Sequence, residues 1–271
     1  KFDVHFYPAE SLAATDAGRM AERWYTRLSP LMRSTFDRRS LIFYANSPDF
    51  QQTNVLSGFI DQSTGGVTES LRGRVIMPFQ STYAETDHVL GHEMVHVFQY
   101  NIAFGGDPAL ARGLGAIPLW VIEGMAEYLS VGRYDPLTAM WLRDAVLRDD
   151  LPTLRQLSRD PRYFPYRYGQ AFWAWYAGVF GDAAVERVYR TALRQGWEQA
   201  LRTVTGQSSD SLSAAWARDL ESYYTPLMVG RMAPDSVGVS IIGQSTREGE
   251  QNFSPAVSPD GRLVAFFSTR E

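Results

Sequence analysis

Two histidines four residues apart, His92 and His96, bracket Glu93 in the stretch VLGHEMVHVFQY at 89–100. On a helix, positions four apart differ by roughly 40° around the axis and lie one turn apart, so both imidazoles point the same way. Two neutral imidazoles on one face can hold a single zinc at about 2.0–2.1 Å. Glu93 follows the first of them and flanks the same face. It is placed to reach a water in the metal's open position without being a ligand. Zinc lowers the pKa of such a water to roughly 7, and a carboxylate can then take its proton. The spacing H-E-x-x-H therefore carries a mechanism, although taken alone it also fits a satisfied histidine pair on an amphipathic core helix.

Two imidazoles are a poor zinc site without a third ligand. LWVIEGMAEY at 119–128 supplies Glu123 on a second predicted helix, with Glu127 one turn further on. Glu123 is the expected third ligand. Glu127 is expected to accept the other ring N–H of a zinc histidine and fix its orientation. Of the four histidines, three (His88, His92 and His96) fall on one helix at four-residue steps. His88 is read as a supporting or surface residue and not a ligand. His5, on an alternating strand, is not expected to be catalytic.

The elements that must position these residues fall into three zones. KFDVHFY alternates, with Phe2, Val4 and Phe6 on one side, and reads as a half-buried strand. Leu12, Met20, Trp24 and Leu28 follow at helical spacing over 9–28. SLIFYA at 40–45, VLSGFI at 55–60 and RGRVIMPF at 72–79 read as strands, with Gly65–Gly66 turning between the last two. From 81 to 225 helix follows helix. Thr82 with Glu85 three residues on predicts a capping box for the H-E-x-x-H helix. Asp135–Pro136 opens another helix. Near 226 the texture shifts to loop, then to VSIIG and FSPAVSPDGRLVAFFSTRE, where SPDG turns between short apolar runs. The expected class is α+β: a domain over 1–228 with a small N-terminal β-sheet and a mainly helical second half, then a linker and a few strands over 229–271.

Composition limits the chemistry. The 271 residues include no cysteine, which excludes disulfides and thiolate metal sites, so any metal needs His and carboxylate ligands. A formal net charge of -4 gives no basic field for nucleic acid. No apolar run approaches the roughly 20 residues of a membrane span. The chain opens on Lys1 in mid-pattern and is expected to be a processed or trimmed form, with any signal peptide already removed.

His92-Glu93-x-x-His96 followed by Trp120, Glu123, Gly124 and Ala126 resembles the gluzincin metallopeptidases, which include the aminopeptidase N family and carry W-x-x-E-G-x-A after the metal helix. The resemblance implies that Glu123 is the third zinc ligand. PYRYG at 165–169 is similar to the family's P/S-Y-x-x-G, and implies that Tyr166 stabilises the oxyanion of the tetrahedral intermediate. Tyr168 is a rival for that role. Residues 97–122, between His96 and Glu123, form a longer, Gly-rich insertion than in aminopeptidase N relatives, and G-x-M-E-N is absent, so exopeptidase specificity does not carry over. A closer resemblance, over roughly 1–225, is to bacterial peptidase-MA-like domains, through Asp49 to Asn54, G-G-V-T-E at 65–69 and, loosely, 205–216. The tail FSPAVSPDGRLVAFFSTR resembles the repeat of TolB-like β-propellers, which implies an incomplete first blade and an exported protein.

The expectation is zinc-dependent hydrolysis of a peptide or protein substrate, with Glu93 as general base and Tyr166 as oxyanion donor. Two alternatives stand beside it: a binding or scaffold domain with a retained metal site, and a zinc hydrolase of a non-peptide bond. No G-x-S-x-G elbow, P-loop or G-x-G-x-x-G is present.

Overall fold

The computed structural model describes residues 1–53, 60, 64–105, 108–232, 234–239, 242 and 252–269. The chain divides into two units, Lys1–Tyr224 and Thr225–Glu271.

The first unit opens with β1 (Phe2–His5), α1 (Ser11–Leu31), β2 (Arg39–Tyr44) and α2 (Ser47–Gln51), followed by β3 (Val67–Glu69) and β4 (Arg74–Pro78). The sheet has the order β1-β2-β4-β3, with β1, β2 and β4 parallel and the edge strand β3 antiparallel to β4. Side chains alternate across it as strand geometry requires. Leu41, Phe43, Val75 and Met77 enter the main core, while Ile76 turns to the other face and packs with Phe50 of α2. Ala17, Met20, Ala21, Trp24 and Leu28 bury one stripe of α1 in that main core.

The helices follow: α3 (Tyr83–Ala103), α4 (Pro108–Leu114), α5 (Leu119–Val131), α6 (Pro136–Leu147), α7 (Leu154–Leu157), α8 (Pro165–Phe180), α9 (Asp182–Gln195), α10 (Trp197–Thr205) and α11 (Ser209–Met228). The expected capping box at Thr82 and Glu85 is present, and Asp135 caps α6 by accepting from Thr138 N at 2.8 Å. The α3 helix is not a surface helix with one apolar stripe. Residues 90–99 are all buried, because α1, α5 and the sheet cover it. Trp120 of α5 meets Phe172 and Trp173 of α8 in the aromatic core.

The mixed α+β class holds, and the differences from expectation are local. β1 ends at His5, leaving Phe6 and Tyr7 exposed. The strand β3 was not anticipated; three residues are too few to show an alternation, and its Glu69 looks like loop until it pairs with Arg74 across the hairpin. The short helices α2, α4, α7 and α10 were not anticipated either. The expected strand at 55–60 and the VSIIG run lie almost wholly outside the described residues, and Asn54 lies outside them too.

The second unit holds α12 (Pro234–Val237) and an antiparallel hairpin of β5 (Asn252–Val257) and β6 (Val264–Ser268). The SPDG turn closes it, with Gly261 at φ 71 and Ser258 N bonded to Leu263 O at 2.9 Å. Among the described residues this unit holds one two-stranded sheet.

Candidate active site

Helix α3 presents His92 and His96 to α5, which presents Glu123 and Glu127 in return. His92 Nε2 lies 3.0 Å from His96 Nε2 and 3.1 Å from Glu123 Oε2, and His96 Nε2 lies 3.2 Å from Glu123 Oε2. Three potential ligand atoms thus form a nearly equilateral triangle.

The other ring nitrogens define what those atoms are. His92 Nδ1 is 2.9 Å from Glu127 Oε1 and donates to that carboxylate. His96 Nδ1 is 2.7 Å from Gln99 Oε1. The Gln99 amide nitrogen donates to Ile122 O at 3.0 Å, which turns its oxygen to the imidazole. With both Nδ1 atoms donating, both Nε2 atoms present lone pairs to each other and to a carboxylate oxygen. Three acceptors at this separation repel unless a cation or a proton sits among them. A tetrahedral zinc with bonds of about 2.0–2.1 Å requires ligand separations of roughly 3.3 Å, close to the triangle observed. The donor set and its spacing therefore fit such an ion, with His92, His96 and Glu123 able to hold it.

The titration behaviour agrees. Burial alone would lower the pKa of His92, but hydrogen bonds to Glu123 and Glu127 more than offset this and raise it to about 10. His96 is likewise raised against burial by the Glu123 charge. Burial would raise the Glu123 carboxyl, yet the two histidines hold it well below the usual carboxylate range. In the absence of a metal the cluster draws in a proton.

A second group, His88, His92 and Glu127, also has its ligand atoms close together. It is already satisfied by hydrogen bonds. His88 Nε2 lies 3.2 Å from Glu127 Oε1, and the Arg167 guanidinium donates to Glu127 Oε2 at 3.1 Å and to Asp135 Oδ2 at 3.1 Å. A guanidinium on the carboxylate disfavours a second cation there. The bonds to His88 and His92 hold Glu127 down at about 2 despite its burial.

Glu93 is 5% exposed and points to β3, where Thr68 Oγ1 donates to its Oε2 at 2.6 Å. Gly66 makes that approach possible: a Cβ there would lie 2.8 Å from Glu93 Cγ. Tyr166, in the first turn of α8, stacks on the His92 ring with centroids 5.8 Å apart. Burial pushes its phenol pKa well up, and the charges of Glu123, Glu93 and Glu127 add to the rise, so the O–H keeps its proton. Tyr168 faces elsewhere, edge-on to Tyr163 and Trp141. His5 is exposed on β1, away from the cluster.

Gln99, Arg167 and Thr68 were not picked out in the sequence. Gln99 lies three residues after His96, a helical spacing that could have suggested a contact, as it does for capping residues.

A family model described as "Peptidase of plants and bacteria" matches residues 62–216, more than half of the 271-residue chain and all of the cluster. No curated protein matches it.

Proposed function

The chain belongs to the family of peptidases of plants and bacteria, and on that premise we propose that it hydrolyses peptide bonds with a zinc ion held by His92, His96 and Glu123. The observation that carries this reading is the convergence of three acceptor atoms within 3.0–3.2 Å of one another, next to a buried carboxylate one residue along α3.

When bound, zinc supplies a Lewis acid that polarises a carbonyl and acidifies a water beside it. The residues of the chain do the rest. Glu93 takes a proton from the attacking water as the water oxygen bonds to the carbonyl carbon. Thr68 keeps the Glu93 carboxylate aimed while it does so. The Tyr166 O–H donates to the oxygen on which negative charge develops. Glu93 then gives its proton to the amide nitrogen as the C–N bond breaks, leaving a free carboxylate and amine. Glu127 and Gln99 hold both imidazoles in the tautomer that frees Nε2.

The resemblance to gluzincins agrees with a glutamate as third ligand. By the same kind of resemblance, the β5–β6 hairpin is read as the start of a propeller blade and the protein as exported. Glu93→Gln is expected to keep zinc and to lower cleavage of casein or peptide substrates at least about a hundredfold. Undiminished hydrolysis by that variant would sink the proposed role of Glu93.

A further inference from the structure

Beside the cluster, the first unit carries a pocket of about 140 Å³ between the C-terminal half of α3 and the β3–β4 hairpin, lined by Arg39, Thr68, Glu69, Arg74, Tyr100 and Phe104 among others. Two of these residues join it to the catalytic residues. Thr68 holds Glu93 at 2.6 Å, and Tyr100 stacks on the His96 ring with centroids 6.2 Å apart. The pocket therefore adjoins the position of the scissile bond. Cavities of roughly 150 Å³ admit a benzene-sized group, so this one has room for a single side chain.

Its walls are apolar at Tyr100 and Phe104, and its charges do not cancel. Glu69 is 5% exposed and bonded by Arg74 Nε at 2.5 Å, so those two charges offset each other. Arg39 bonds only neutral acceptors among the described residues. It donates to Arg38 O at 2.8 Å and to Asn101 Oδ1 at 3.1 Å, and its guanidinium lies 4.9 Å from the centre of the Phe36 ring. These contacts fix the guanidinium in place, and among the described residues no carboxylate pairs with it. Arg39 starts β2, two strands in from β3, or roughly 10 Å across the sheet, a gap that an arginine and a short acidic side chain span between them. A fixed guanidinium with spare N–H groups matches a carboxylate in charge and in fork geometry.

We propose that this pocket is a substrate subsite for a carboxylate near the scissile bond, with Arg39 as the specificity-determining residue. The proposal rests on the peptidase reading and adds the substrate class. The carboxylate comes from an aspartate or glutamate side chain, or from the C-terminus of the peptide itself.

The test is calorimetric titration of zinc-loaded Glu93→Gln protein, which binds without turnover. The probes are N-acetylated tripeptides of alanine with glutamate or glutamine at each position in turn, all C-terminally amidated, and the glutamine set again as free acids. A glutamate peptide binding about tenfold tighter than its glutamine partner identifies a side chain as the source. The same gain in the free-acid set alone identifies the C-terminus. Adding Arg39→Gln should abolish the preference, while Arg39→Lys should keep part of it. Equal binding of all the peptides, or a preference that survives Arg39→Gln, overturns the proposal. If the wild-type chain cleaves no peptide while the Arg39-dependent preference persists, the peptidase reading fails and the carboxylate pocket stands.

Discussion

Gly124 of α5 and Gly169 of α8 meet backbone to backbone: a Cβ on Gly124 would lie 2.4 Å from Gly169 Cα, and one on Gly169 would lie 2.5 Å from Trp120 O. This contact sets the spacing between Glu123, beside Gly124, and Tyr166, one turn before Gly169. A methyl group at Gly169 has to push the helices apart, since backbone cannot rotate away as a side chain can. Gly169→Ala is expected to cost about 1–3 kcal/mol of stability and to lower peptide cleavage. On the same helix, Gly178 has nothing within 4 Å of an added Cβ, so Gly178→Ala should be neutral or stabilise by up to about 1 kcal/mol. Urea unfolding of the two variants checks the contrast. Equal effects would mean that the α5–α8 contact is not tight.

Tyr166 and Tyr168 differ in what they face. Tyr166 stacks on His92, whereas Tyr168 lies edge-on to Tyr163. Tyr166→Phe should lower kcat about a hundredfold to a thousandfold with little change in KM, because in the proposed mechanism it removes the donor to the developing oxyanion. Tyr168→Phe should leave kcat within a few-fold of wild type. Steady-state kinetics on one peptide substrate separates them, and the reverse ranking would transfer the role to Tyr168.

The buried cluster makes the metal-free protein sensitive to pH. The raised pKa of His92, about 10, stabilises the fold fully below its ordinary value of 6.5, and that contribution is lost as pH rises toward 10. The lowered pKa of Glu127, about 2, stabilises the fold above its ordinary value of 4.5, and that contribution is lost as pH falls toward 2. Chelated protein should therefore melt highest between about pH 4.5 and 6.5, with Tm falling steadily above that window. Zinc held by His92, His96 and Glu123 would take the place of the proton and flatten the decline. Thermal melts with and without chelator over this range provide the measurement. A chelated Tm that climbs from pH 7 to 9 would contradict the proposed protonation of the cluster.

What the sequence made legible depended on fixed helical spacing. His92, Glu93 and His96 share a helix, and Glu123 and Glu127 share another, so each set's relative placement follows from the period alone. That the two helices face each other does not follow from period; it took the packing of α3 on α5. Gln99 acts through one rotamer and a bond to Ile122 O, and neither leaves a pattern in the chain. Arg167 lies inside PYRYG, whose pattern is carried by the tyrosine and glycine, yet it is the residue that bonds Glu127 and Asp135 together. The edge strand β3 was missed because the side chain of Thr68 is explained by Glu93, twenty-five residues away, and not by its neighbours. The strands β2 and β4 were legible as short apolar runs, in which Leu41, Phe43, Val75 and Met77 are buried, and the long helices were legible from helical spacing.

Peptide cleavage is proposed to depend on one zinc held by His92, His96 and Glu123. Metal analysis of protein purified without chelators, paired with a peptide-cleavage assay, tests it most directly. About one equivalent of zinc per chain is expected, with loss of both zinc and cleavage in Glu123→Ala and recovery of chelated wild type when zinc is returned. Full cleavage by metal-free protein, or Glu123→Ala that keeps its zinc and its activity, would contradict it.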